Sequence, residues 1–192
     1  MFQVRMHGRG GQGVVSGAEM LSVAAFHEGR HAQAFPSFGS ERMGAPVMAF
    51  CRIDDKPIRL REPVMAPDVL VIQDSTLLHQ VDLFNGLAEN GYVLLNSRRS
   101  YESLGLADLT RRMRPERLVT LPATDIALEH VGRPVPNVPL LGAFAALTGM
   151  VHLDSVIAAI RGKFDGRLAE TNVCAAQAAF EHTRRLLETT HA

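Results

Sequence analysis

A strand that runs directly into glycines and out again into a helix restricts a chain to very few arrangements, and this chain does so within its first thirty residues. FQVRM (2–6) alternates as a strand does, HGRGGQG follows, and apolar positions then recur at Val14, Ala18, Leu21, Val23 and Ala25 before a stop near Gly29. A turn from strand to helix needs residues without a β-carbon where the backbone bends sharply or where a ligand comes close. The helix that follows presents unpaired N–H groups to an anion. GRGGQG (8–13) therefore reads either as an anion cradle or as close packing of the first helix on a sheet. Both readings need a sheet with helices laid against it.

The rest of the chain continues in that pattern. HAQAF (31–35) is a short strand cut off by Pro36, PVMAFCRI (46–53) is a strand with DDKP as its turn, and IRLRE (58–62) reads as the other arm of a hairpin. VLVIQ (69–73) is a continuous branched run of the kind buried on both faces of a parallel sheet, with Asp74 and Ser75 where a helix cap would sit. A helix over 77–89, the Asn90-Gly91 turn and the strand YVLLN (92–96) complete a βαβ unit. RLVTLPA (117–123) is the next strand, and Thr124 or Asp125 caps a helix reaching Val131. Beyond the proline-rich VGRPVPNVP, helices are expected over 140–150, 154–160 and 169–188, the last with Val173, Ala176, Phe180, Thr183 and Leu187 at helical spacing. The expected fold is one α/β domain over residues 1–192: a Rossmann-like, mostly parallel sheet with a β-hairpin insertion and a helical C-terminal layer.

Gly8, Gly10 and Gly13 satisfy the G-x-G-x-x-G dinucleotide pattern, but the strand after the first helix ends Ala34-Phe35-Pro36, without the acid that holds the ribose of NAD. No Lys-Ser/Thr pair follows the glycines, which excludes a Walker A loop. His27-Glu28-Gly29-Arg30-His31 fits the zinc pattern H-E-x-x-H, yet Gly29 falls where the helix ends, so the two imidazoles should point apart. PSFGSERMGAP (36–46) packs charge, hydroxyls and glycines between two strands, at an end where open α/β sheets place ligands. There Glu41 and Arg42 form either an exposed ion pair or, through Arg42, a contact to a carboxylate or phosphate. Ser37, Ser40 and Ser75 lack a neighbouring base or a nucleophile elbow.

The formal net charge is zero, which argues against a nucleic-acid partner, and no apolar run approaches the ~18 residues of a membrane span. Arginine supplies nearly all the positive charge, Lys56 and Lys163 being the lysines. Cys51 and Cys174 both sit among apolar residues and read as core thiols of a reduced, cytoplasmic protein. Two cysteines cannot hold an iron–sulfur cluster that takes four. With the chain starting as a strand, a signal peptide has no room.

Three segments together resemble one family. GRGGQGVVSGAEML (8–21), AFPSFGSERMGAPVMAFCRI (34–53) and PNVPLLGAFAALTG (136–149) are similar to the gamma subunit of the 2-oxoacid:acceptor oxidoreductases, the pyruvate/ketoisovalerate ferredoxin oxidoreductase group. The likeness runs from about residue 2 to about 180 and includes APDVLVIQD, YVLLN and Asn172. It implies a subunit of an enzyme that decarboxylates a 2-oxo acid oxidatively and forms an acyl-CoA. Thiamine diphosphate with Mg and the 4Fe–4S clusters would lie on alpha, beta and ferredoxin-like delta partner subunits, and ferredoxin or NAD would accept the electrons.

The resemblance gives this chain no bond-making residue. It implies that Gly8, Arg9, Gly10, Gly11, Gln12 and Gly13 line the active-site cleft and meet coenzyme A. Ser37, Gly39, Ser40, Glu41 and Arg42 would order a loop facing the same cleft or the alpha subunit, and Asn137 would close it from the opposite loop. The family often has a tyrosine where this chain has Phe38, which removes a hydroxyl and points toward a different substrate class, aryl 2-oxo acids included. The alternative on the residues alone is a free-standing Rossmann-like nucleotide or dinucleotide binder.

Overall fold

Five of six strands run in one direction, and the sixth is a reversed strand lodged between two of them. The computed structural model describes residues 1–37 and 42–190. Its strands are β1 (Phe2–Arg9), β2 (His31–Pro36), β3 (Pro46–Asp54), β4 (Val69–Ile72), β5 (Tyr92–Asn96) and β6 (Leu118–Leu121), in the sheet order β2-β3-β1-β4-β5-β6. β3 is antiparallel to both β1 and β2, while β1, β4, β5 and β6 pair in parallel. This is the expected mostly parallel α/β sheet with a hairpin inserted, although the hairpin is β2–β3.

Alternation along the strands separates two faces. Val4 and Met6 of β1, Cys51 and Ile53 of β3 and Val69 and Val71 of β4 face a helical layer. That layer holds α1 (Val14–His27), α3 (Ala123–Val131), α4 (Asn137–Thr148), α5 (Leu153–Lys163) and α6 (Gly166–Thr190), with a short α2 (Ala107–Arg112) elsewhere in the chain. α4 is apolar nearly all round and buried over ten of its twelve residues, as a helix enclosed by sheet and helices must be. It lies against α6 so closely that a β-carbon on Gly142 would stand 2.1 Å from the Ala176 carbonyl oxygen. On α6, Val173, Ala176 and Thr183 are buried, and Phe180 and Leu187 pack on the core, as the helical spacing predicts. Val23 of α1 is exposed, unlike the other four positions expected to face inward.

The second face is covered mostly by irregular chain, and here several expectations fail. Residues 58–62 form no strand, and the segment 77–89 is not a helix but a 3-10 turn (Ser75–His79) followed by further turns. One buried side chain holds the second of these segments, and the stretch just after the first, in irregular conformations. Arg5 donates through Nη1 to the carbonyls of Val64 (3.3 Å) and Met65 (3.5 Å), and through Nη2 to those of Leu83 (3.0 Å) and Asn85 (2.6 Å). These are carbonyls that a ladder or a helix would otherwise use. Pro57, Pro63 and Pro67 also deny a strand its N–H groups. At Gly86, with φ +76°, a β-carbon would lie 1.9 Å from the Met65 oxygen, so the two segments touch backbone to backbone. Leu77 and Leu83 then close over Leu70, Ile72, Val93 and Leu95.

Other boundaries shift for local reasons. The helix α2 occupies the crossover from β5 to β6, where the sequence pattern indicates none. α4 starts at Asn137, three residues before the expected point, because Pro136 and Pro139 fall at and just inside its first turn, where a missing N–H costs nothing. α3 starts at Ala123, so neither Thr124 nor Asp125 caps it. Instead Asn96 at the end of β5 accepts from the Thr124 N–H (3.2 Å) and donates to its hydroxyl (2.8 Å). Cys51 is buried, with its thiol pushed up to about 12 by burial, but Cys174 is exposed on α6 and is no core residue.

These contacts set the response to two substitutions and to acid. Gly142→Ala must push α4 from α6 and should lower the thermal midpoint by about 4–8 °C, the equivalent of ~2 kcal/mol. Gly162→Ala on α5, which meets nothing within 4 Å, should leave the midpoint unchanged or raise it; equal losses in the two variants would reject the close-approach account. His7 is 5% exposed, and burial together with the neighbouring Arg5 charge depresses its pKa to about 4. Because the folded value lies below the unfolded one of about 6.5, stability is complete above pH 6.5 and falls as pH drops toward 4, by at most ~3 kcal/mol. Urea melts of wild type and His7→Gln, which keeps an acceptor for Arg5, should differ in slope over that window; parallel curves would exclude His7 as the group responsible.

Candidate functional site

The carboxyl ends of β1, β4, β5 and β6 share one edge of the sheet, and the glycine loop leaves from the first of them. β1 continues through Gly8 and Arg9, held by Val47 and Pro46 of β3. Gly10 keeps that association beyond the strand: its N–H donates to Ala45 O (2.9 Å) and its carbonyl accepts from Gly44 N–H (3.1 Å). A β-carbon there would sit 2.2 Å from the Arg42 carbonyl oxygen, so position 10 is glycine because the 42–45 loop lies on it. Gly13, φ +70°, sets the start of α1 without a side-chain cap, and a β-carbon on it would strike Asn137 Nδ2 at 2.4 Å. Gly8 meets Val14 in the same way, and Gly11 meets the Met43 sulfur.

Arg9, Gln12 and Asp74 lock the loops together. Gln12 Oε1 accepts from the Arg9 N–H (2.8 Å), and Gln12 Nε2 donates to Asp74 Oδ2 (2.8 Å). The Arg9 guanidinium pairs with Asp74 (3.3 Å) and donates to Thr76 Oγ1 (2.8 Å), Gln80 Oε1 (3.0 Å) and the Gly44 carbonyl (3.1 Å). Burial alone would raise the Asp74 pKa; hydrogen bonds from Thr76 and Gln12 and the Arg9 charge outweigh it and hold the carboxyl below its ordinary value. Asp74 is therefore ionised at neutral pH; it joins loops 9–13 and 74–80, and Arg9 and Gly10 tie loop 42–45 to them, making one platform.

The structure thus brings Gly8 to Gly13, Arg42 and Asn137 into one neighbourhood. Asn137, 5% exposed at the start of α4, donates to the Gly13 carbonyl (3.1 Å) and accepts from the Val138 N–H (2.9 Å). Ser37 is half-buried and prolongs the β2–β3 ladder through its N–H to Met48 O (2.8 Å). Arg42 is exposed, and its carbonyl accepts from the Ala45 N–H (3.0 Å). Gly39, Ser40 and Glu41, with Phe38, lie outside the described residues. The N–H groups of Gly10 and Gln12 are taken by Ala45 and Arg9, whereas those of Gly11 and Gly13 find no acceptor among the described residues.

Beside the platform lies a cleft of about 340 Å³, with Gln12 and Asp74 on one wall, Asn96, Thr124 and Asp125 on the other and Gln73 between. Apart from Gln12, none of these is a site residue on the sequence reading. Their signal is nonetheless present, because Gln73 ends VLVIQ and Asn96 ends YVLLN, each at the carboxyl end of a parallel strand. The zinc pattern is dispersed as expected: His27 ends α1, His31 opens β2, and Glu28 accepts from the His152 N–H (2.6 Å). Among the described residues no three His, Cys, Asp or Glu side chains gather to hold a metal, and no helix is long and apolar enough to cross a membrane.

Comparison with known proteins agrees with this architecture. The family model for pyruvate ferredoxin/flavodoxin oxidoreductase matches residues 3–182. The chain is 50% identical over 184 residues to the pyruvate/ketoisovalerate oxidoreductases common subunit gamma of Pyrococcus abyssi, covering 96% of this chain and 98% of that one. It is 48% identical over 181 residues to the pyruvate synthase subunit PorC of Methanothermobacter marburgensis, covering 94% and 97%. The crystal structure of pyruvate oxidoreductase subunit PORC from Thermotoga maritima superposes with a TM-score of 0.79 at 37% identity, over 94% of this chain and 95% of that one. The chain belongs to the pyruvate ferredoxin/flavodoxin oxidoreductase family, among its gamma subunits.

Proposed function

We propose that this chain is the single-domain gamma subunit of a complex that oxidatively decarboxylates a 2-oxo acid and transfers the acyl group to coenzyme A, with the glycine-loop platform on the coenzyme A side of the active site. The observation that carries the reading is the rigid joining of three loops at the carboxyl edge of the sheet by Arg9, Gln12 and Asp74. Such a platform presents the N–H groups of Gly11 and Gly13 and the uncapped start of α1 in fixed positions, a suitable receiver for a phosphate. Arg9, already committed to four partners, positions the loop, and Arg42, exposed beside it, is the cation that can reach an anion or the alpha subunit.

Within that complex the chemical step belongs to the beta, alpha and ferredoxin-like delta subunits, where thiamine diphosphate with Mg and the 4Fe–4S clusters supply decarboxylation and electron transfer to ferredoxin or NAD. This chain holds none of the reacting groups. Its residues bind, orient and close: Asn137 keeps α4 against the base of the glycine loop, and Ser37 keeps the hairpin ladder in register up to the 38–41 segment.

Purification of the native complex, with viologen reduction measured over a panel of 2-oxo acids, tests partner, substrate and acceptor class together. In that assay Arg42→Ala should raise the KM for coenzyme A about tenfold with kcat little changed, since one charge-assisted hydrogen bond is worth ~1.5 kcal/mol. An unchanged KM in a normally assembled complex would reduce the loops to bridging elements. A chain that purifies alone from its native source, with no thiamine-binding partner, would overturn the subunit reading.

A further inference from the structure

We infer that the free edge of β2 is the docking site for a second copy of this chain, which adds its own β2 antiparallel across a two-fold axis passing beside Gln33. β2 ends the sheet and has β3 as its one neighbour there. The bond from the Ser37 N–H to Met48 O fixes the alternation along the strand: Gln33 and Phe35 direct their main-chain groups at β3, and Ala32 and Ala34 direct theirs outward. Among the described residues nothing bonds to the outward groups of either alanine. Such an edge templates another strand unless charge, proline or a bulge blunts it. HAQAF carries no Lys, Arg, Asp or Glu, pairs residue for residue with β3, and meets its proline only at the end. Arg30, just before it, is balanced by Asp55 at 3.2 Å. The edge therefore offers main-chain groups and shape, and no charge that would select a partner of opposite sign.

The register identifies the occupant. With the axis at Gln33, Ala32 of each copy faces Ala34 of the other, and every outward N–H and C=O of the two alanines is paired. An axis at Ala34 would set Ala32 against Pro36, which has no N–H to give. An axis at Ala32 would set Ala34 against Arg30, whose N–H already donates to Ala25 O (3.2 Å). The strand is thus complementary to itself in one register, as an isologous contact requires. Gln33 falls on the axis in a non-hydrogen-bonded pair, where opposed side chains come closest. It is half-buried, and its Oε1 has no partner among the described residues. An amide both donates and accepts, so two of them across an axis can bond each other.

The elements beside the strand continue the match. Ala32 and Ala34 stand opposite Ile53 and Cys51, on the helical side, and α1 lies over β2 and β3. With strands about 4.8 Å apart, that position sets the α1 helices of the two copies ~10 Å from each other, a packing distance for helices. Phe26, in the last turn of α1, is 74% exposed and lines a cleft of about 520 Å³ at the start of β2 with His31, Ala32, Pro57 and Ile58. In the register centred on Gln33, His31 faces Phe35 of the second copy, so the apolar end of the incoming strand covers this cleft.

Sedimentation of the full chain at micromolar concentrations should show a dimer. Ala34→Pro, which removes two bonds between copies, should give a monomer with the circular dichroism of the wild type. Should that variant fail to fold, Gln33→Lys puts like charges face to face and should weaken association at least ~tenfold. Cross-linking tests the register in a Cys174→Ser background, which removes the exposed native thiol. Gln33→Cys should form a reducible disulfide with its copy on mild oxidation, because Cα atoms of such a pair stand about 4.5 Å apart. Phe35→Cys, displaced from its copy by four positions or some 13 Å, should form none. The link at 33 should appear both in the isolated chain and in the purified complex. A monomer at every concentration, or equal linking at 33 and 35, overturns the inference. So does a link that the isolated chain forms and the complex does not, which would assign the edge to another subunit.

Discussion

The buried guanidinium of Arg5 is the interaction on which half of this structure depends. It lies in the middle of the sheet face that has no regular helical layer, and it has no carboxylate in contact among the described residues. Four main-chain carbonyls and His7 Nε2 (3.1 Å) surround it instead. Burial lowers its pKa and Asp82 opposes that, but a guanidinium stays charged, so the carbonyl dipoles must hold the charge. In doing so they fix residues 64–65 and 83–85 over the sheet in irregular conformations. His7 in turn must stay neutral to accept from Arg5, and it is the residue from which the glycine loop departs. The loop, the irregular cover and the cleft edge are thereby referred to one strand.

This explains which parts of the fold are legible in the sequence. β1, α1, β2, β3, β4, β5 and α6 follow from periodicity, since each places apolar residues on the face it buries and no tertiary contact competes. IRLRE and the segment 77–89 also have acceptable local patterns, but carbonyls just after the first and within the second serve a side chain some sixty to eighty positions away, which no local window contains. The start of α3 differs for the same kind of reason: Thr124 is a good capping residue by type, and Asn96 from the adjacent strand takes it. Cys174 escapes the core because the alanines beside it are on the buried stripe of α6 while it falls on the outer one.

At the candidate site the glycines are legible and their cause is not. The spacing matches a dinucleotide loop, yet at Gly10 the close neighbour is the Arg42 backbone, and at Gly13 it is Asn137. Packing of the chain on itself requires these glycines, whatever ligand the loop meets. Gln12, which breaks the usual pattern, is the more specific residue, because its one amide holds both the Arg9 N–H and the Asp74 carboxylate and so joins the loop to the end of β4. A glutamine side chain is long enough to do this and neutral enough to leave Asp74 to Arg9.

The absent acid at the end of β2 also takes on a different meaning. That expectation presumes that the second strand lies next to the first, so that its carboxyl end borders the nucleotide. Here β3 is inserted between them, antiparallel to both, and β2 ends a full strand farther from the glycine loop. An acid at position 36 would face the hairpin rather than the cleft. The parallel neighbour of β1 is β4, and it leads into Gln73-Asp74. Asp74 is the acid at that strand end, but its acceptor sites are filled by Thr76, Gln12 and Arg9, and its charge is spent on holding the platform.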